Sequence, residues 1–138
     1  MNPLERMKTM KILLAYRSFF PHIGGAWTYA EELRKGLERN GHTVDILASH
    51  PNQQKYYLLN HNRSVDKKRL SPIISKKVHN FYDRRLRNVD NWIRRLEIDR
   101  YCFEAASSQI GLKDYDIIHA QCVITARAIS RVKPKNTP

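Results

Sequence analysis

A chain of 138 residues has room for one hydrophobic core of ordinary domain size, and 25 Lys and Arg against 13 Asp and Glu leave it at +12 at neutral pH, a charge that favours anionic partners. No apolar run reaches the 18 or so residues that span a bilayer, and the first ten residues lack the apolar stretch of a secretory signal. Cys102 and Cys122 stand apart, without C-x-x-C or His spacing for zinc, so the expectation is a cytoplasmic chain with reduced thiols and no metal site.

Residues 1–9 are a polar leader expected to be disordered, and one domain is expected over residues 10–138. Residues 11–16, KILLAY, read as a short strand buried on both faces of a parallel sheet. The connection that follows ends in Phe20-Pro21-His22-Ile23-Gly24-Gly25. From Ala26 the apolar positions fall at Ala30, Leu33 and Leu37, one stripe of an α-helix. Glu31 and Glu32 lie nearer its start and Arg34, Lys35 and Arg39 nearer its finish, and Gly41 suits a left-handed stop. Residues 43–47 are a second strand, which completes a βαβ unit with a right-handed crossover and a parallel pair. The loop before the helix must then lie at the carboxyl edge of the sheet. There Gly24 and Gly25 let backbone N–H groups approach an anion at the helix N-terminus. The alternative is a tight turn that merely enters a helix. A dinucleotide fingerprint does not fit: no G-x-G-x-x-G is present, and Asp45 sits mid-strand, not at a ribose-reading tip.

Residues 56–59 read as a short third strand, followed by a polar loop over residues 60–66. Beyond it, residues 63–100 carry twelve Lys or Arg against five Asp or Glu, a net of +7. Pro72 suits a first helical turn. Ile74, Val78, Tyr82, Leu86, Val89, Ile93 and Leu96 follow at spacings of three and four, so a helical run is expected to about Ser108 with a break near residues 88–91. Its cations, among them Lys76, Lys77, Arg84, Arg85, Arg87, Arg94 and Arg95, are expected on the opposite face. Three readings stand open: a packed helix with a solvated charged face, a surface that docks on anionic lipid, or a nucleic-acid surface. The last is the least favoured, since no helix-turn-helix, zinc finger or RNP-like strand accompanies the charge.

Residues 113–121, KDYDIIHAQ, read as a later strand ending at His119, a residue that is either a satisfied core histidine or a hydrogen-bond partner at the carboxyl edge. A helix is expected over residues 125–132, and residues 133–138 read as a loop leading toward a further buried strand.

Taken together, residues 11–47, with the KILLAY strand, FFPHIGG loop, YAEELRKGLERNGH helix and TVDIL strand, resemble the opening of the acceptor-side domain in family-four retaining glycosyltransferases. These are the glycogen-synthase and sucrose-synthase-like enzymes with two facing Rossmann-like domains. Residues 113–121 resemble the family's later strand, where an Asp precedes two apolar residues and a His; the second His often found two residues on is replaced here by Gln121. The resemblance implies an α/β fold, an open parallel sheet flanked by helices, forming the Rossmann-like half of a two-domain enzyme. It implies transfer of a sugar, with retention, from a nucleotide-diphosphate donor to a glycan, lipid-linked or small-molecule acceptor, with no cofactor. Gly24 and Gly25 would face the donor diphosphate, His119 would serve the reacting centre, and His22, Trp27 and Gln121 would line the acceptor cleft.

In the family, a carboxy-terminal donor-binding domain resembles the source of the nucleotide pocket and of two glutamates with seven residues between them. Here Glu31 and Glu38, like Glu97 and Glu104, have six between them. The expectation is therefore an amino-terminal domain that stops before its donor-binding partner and is inactive alone, with peripheral attachment to the inner face of a membrane through the basic segment. A non-catalytic basic α/β module that binds membrane or nucleic acid is the alternative.

Overall fold

The computed structural model describes residues 8–18, 25–50, 54–59, 61–86 and 88–138. Nine elements follow in chain order: β1 (Lys11–Ser18), α1 (Gly25–Arg39), β2 (Thr43–His50), β3 (Lys55–Leu59), β4 (Arg63–Asp66), α2 (Lys67–Arg85), α3 (Asn91–Ile110), β5 (Ile117–Ala120) and α4 (Val123–Val132). One five-stranded sheet has the order β4-β3-β2-β1-β5. The expected leader, Gly24, His22 and Arg87 fall outside the described residues, except for the leader's last two positions.

The βαβ unit forms as expected. β1 and β2 pair in parallel from Lys11 opposite Thr43, and β5 joins the other side of β1 in parallel with Leu14 opposite His119. Alternation along these strands sends side chains to two cores. Ile12, Leu14, Tyr16, Val44, Ile46 and Ala48 meet Ala30 of α1, with Leu33, Leu37 and Trp27 packed against them. Leu13, Ala15 and Leu47 face the other way, onto Cys102, Phe103, Ala106 and Ile110 of α3 and Ala128 and Ile129 of α4. Burial on both faces is why residues 12–16 are continuously apolar. Gly41 has φ +87°, the left-handed backbone that ends α1. The side chain of Ala26 is outside the described set.

The sheet is not wholly parallel. β3 runs antiparallel to β2, with His50 opposite Lys55, and residues 63–66, expected as loop, form β4 antiparallel to β3. Connections this short cannot make a parallel crossover, which needs a dozen residues or more. β4 escapes a pattern reading because it is an edge strand whose only partly covered residue is Val65.

Asp45 is the costly residue of the sheet, a carboxylate 3% exposed in the middle of β2. It is satisfied by Tyr115 Oη, which donates over 2.6 Å, and by His61 Nε2 at 2.8 Å.

The basic segment breaks where expected, between Arg85 and Asn91, but its faces differ. α2 starts at Lys67, capped by Asp66 Oδ1 accepting from the Lys68 amide at 2.9 Å, so Pro72 lies in the helix interior and not in the first turn. The break rotates α3 relative to the expected stripe. Ile98, Cys102, Phe103, Ala106 and Ile110 face the core, while Leu86 is exposed. Arg94, expected on the solvated cationic face, is 7% exposed. Its guanidinium donates to Asp83 Oδ1 at 2.7 Å and to Val89 O at 3.1 Å, and it meets His79 Nδ1 at 3.2 Å. Arg94 therefore fastens α2 to α3 and is not available to a surface ligand. At the other end α4 begins at Val123, and the segment after it returns to β5, where the Ile118 amide donates to Pro138 O at 2.9 Å.

Buried phenols and a buried thiol make stability sensitive to alkali. Burial pushes Tyr16 from 10.0 up to about 12, helped by Tyr29. Burial likewise pushes the Cys102 thiol from 9.0 up to about 11, helped by Asp99. Tyr56 and Tyr115 are raised further, by burial first and, for Tyr115, by its bond to Asp45. The unfolded chain releases these protons at lower pH than the folded one, so their contribution is complete below pH 9 and is lost as pH rises toward 12. Tyr57 is raised by burial as well, and Lys67, lowered by burial, acts in the opposite sense, one group against five. Urea midpoints should therefore fall between pH 9 and 12, less steeply in Tyr56→Phe. A flat profile would contradict this account.

Candidate functional site

Because β5, β1 and β2 are parallel, their carboxyl ends share one edge of the sheet. α1 follows β1 and α4 follows β5 at that edge, each presenting its positive N-terminal end there, while β3, being antiparallel, starts there. The edge has two sides, one under α1 and one under α3 and α4.

On the α1 side lie the described members of the expected site, Gly25, Trp27, His119 and Gln121. His119 is in register with Leu14, a member of the α1-side core, so it projects to that face. It is half-buried, and its Nε2 stands 3.4 Å from Gln121 Oε1. Gln121, exposed, prolongs the ladder by donating its amide to Ala15 O at 3.0 Å. With an acceptor at Nε2, the neutral ring carries its proton there and leaves Nδ1 as an acceptor. Gly25 is the first residue of α1 and exposed, and a Cβ added to it would meet nothing within 4 Å. Trp27 packs against the α1-side core.

On the other side is a cavity of about 370 Å³ that pattern reading did not find. Arg17 from the end of β1, Ser49 from β2, Tyr56 from β3, Lys67 from the start of α2, and Asp99 and Phe103 from α3 line it. Arg17 pairs with Asp99. Lys67 Nζ stands 4.9 Å from the centre of the Tyr56 ring, and burial lowers its pKa, opposed by the charge of Asp99. Tyr56 in turn meets Phe103 edge-on, with ring centres 5.6 Å apart.

The remaining expected residues are on the basic helices. Lys76, Lys77, Arg84, Arg85 and Arg95 are exposed. Between them stand exposed apolar side chains, Phe81, Leu86 and Trp92, and Arg85 lies 4.9 Å over the Phe81 ring. Among the described residues no group of three or more His, Cys, Asp or Glu could hold a metal ion, and no helix is long and apolar enough to cross a membrane.

A family model described as Glycosyltransferase Family 4 matches residues 23–138. No curated protein and no solved structure matched the chain.

Proposed function

The chain belongs to Glycosyltransferase Family 4, and from that membership we propose that it is the acceptor-side domain of a hexosyltransferase that moves a sugar from a nucleotide-diphosphate donor to a glycan, lipid-linked or small-molecule acceptor with retention. The observation that carries the site is the placement of His119 and the amino end of α1, at Gly25, on one face of the same carboxyl edge. In this reading the backbone N–H groups at Gly24 and Gly25, with the positive end of α1, meet the diphosphate and stabilise the charge it gains on departure. His119 hydrogen-bonds the transferred sugar or the departing phosphate, and Gln121 holds the imidazole in orientation. His22 and Trp27 contact the acceptor in this reading. A carboxy-terminal domain provides most of the donor grip, so the 138-residue domain alone is inactive. The test is release of nucleoside diphosphate by the two-domain enzyme across UDP-, GDP- and ADP-sugars. Release from one of them in the presence of acceptor is expected, and no release from any would overturn the reading.

Phe81, Leu86 and Trp92, set among the exposed cations of α2 and α3, favour a second element: attachment of this face to an anionic membrane on the cytoplasmic side. Rings and cations side by side suit the interfacial layer, where each Lys or Arg contributes about 1 kcal/mol. The chain should sediment with phosphatidylglycerol vesicles and not with neutral ones. Release by 1 M salt is expected, since the Debye length falls from about 10 Å to about 3 Å between 0.1 and 1 M. Arg84→Glu with Arg85→Glu should reduce recovery, and equal recovery with both vesicle types would contradict attachment. Duplex DNA or RNA should compete only weakly.

A further inference from the structure

The cavity beneath Arg17 and Lys67 is separate from the His119 face and has a polarity of its own. Ser49 is 6% exposed, lines the cavity, and no described residue hydrogen-bonds its hydroxyl. A hydroxyl that lines the cavity and has no protein partner among the described residues is free to donate to a ligand there. Lys67 is half-buried and makes no ion pair among the described residues; its recorded neighbour is the Tyr56 ring. Two cations, Arg17 and Lys67, face one carboxylate, Asp99, which leaves the cavity one positive charge in excess.

We infer that this cavity is a subsite for a phosphate group carried by the acceptor, with Lys67 Nζ, Ser49 Oγ and the N–H groups of Arg17 not used by Asp99 as its donors. The inference rests on the reading of the carboxyl edge as the acceptor side. A phosphate fits better than a carboxylate. A carboxylate is best recognised by both arms of an arginine fork, and Asp99 already takes one arm of Arg17. What remains is a point charge on a flexible stem, a hydroxyl and spare guanidinium N–H groups, a set that meets a three-oxygen tetrahedral anion from several sides. Size agrees. At about 370 Å³ the cavity lies near the small end of ligand pockets, which run from about 300 to 1,000 Å³, so it suits a phosphorylated monosaccharide or polyol and not a long glycan. Tyr56 and Phe103 supply an aromatic wall for the ring or carbon skeleton that bears the phosphate. The partial desolvation that lowers the pKa of Lys67 is relieved when an anion arrives.

The test is an NMR titration of the chain with inorganic phosphate, a hexose 6-phosphate, glucose and glucuronate, following the amides of Ser49 and Lys67. The hexose phosphate should saturate shifts at both residues, inorganic phosphate should do so more weakly, and glucose should do nothing. Lys67→Met should weaken hexose-phosphate binding at least tenfold and Ser49→Ala several-fold, so one variant remains informative if the other does not fold. Three results would overturn the proposal: shifts spread along the exposed cations of α2 with both variants unaffected, glucuronate bound as tightly as the phosphate ester, or inorganic phosphate bound with the ester excluded. The titration uses no nucleotide sugar and no transfer. Its failure would leave the proposed chemistry standing, and failure of transfer alone would leave this subsite standing.

Discussion

Gly25→Val should abolish sugar transfer by the two-domain enzyme while leaving the fold intact. Those two outcomes normally conflict for a glycine substitution, and here the structure separates them. Gly25 opens α1 with its Cα facing solvent, and a Cβ there meets no atom within 4 Å, so the chain itself has space for valine. Valine is also a better helix former than glycine, by a few tenths of a kcal/mol, so α1 should not weaken. The space a valine fills is the space through which a diphosphate would approach the first N–H groups of the helix. Circular dichroism and the thermal midpoint should match the parent, with turnover lost. Near-parental turnover in a folded variant would remove the anion from this loop.

His119→Ala is expected to lower kcat by about 10²- to 10³-fold, the effect of deleting one donor aimed at developing charge. The stability cost should be small, because the side chain is only half-buried and its recorded hydrogen bond, to Gln121, is 3.4 Å long. Gln121→Ala should act more weakly and through orientation alone, shifting kcat with acceptor KM unchanged. If His119→Ala keeps full turnover, the histidine is simply a strand residue with a tolerable position.

The sequence carried the features set by local periodicity. β1, α1 and β2 follow from two-sided burial, a three-and-four stripe and Gly41, and the later strand follows from Ile117, Ile118 and His119. Features fixed by distant partners were illegible. Arg94 looks like any other cation on a basic helix, and only the turn between α2 and α3 brings it to Asp83, His79 and Val89 O. β4 has too little apolar character to announce itself, because an edge strand beside β3 needs little. The cavity draws its lining from β1, β2, β3, α2, α3 and α4, with Arg17 and Asp99 82 residues apart, so no window of sequence contains it. By contrast His119, Gly25 and Trp27 share one side of the sheet because strand alternation and the crossover both fix that side.

The proposed role of this edge is sugar transfer from a nucleotide-diphosphate donor with retention. It is tested most directly by incubating the two-domain enzyme with its donor and acceptor and reading the anomeric configuration of the first-formed product by NMR. The prediction is one equivalent of nucleoside diphosphate released per glycoside formed, with the donor's anomeric configuration kept. Inversion, or nucleoside diphosphate released without any glycoside, would contradict it.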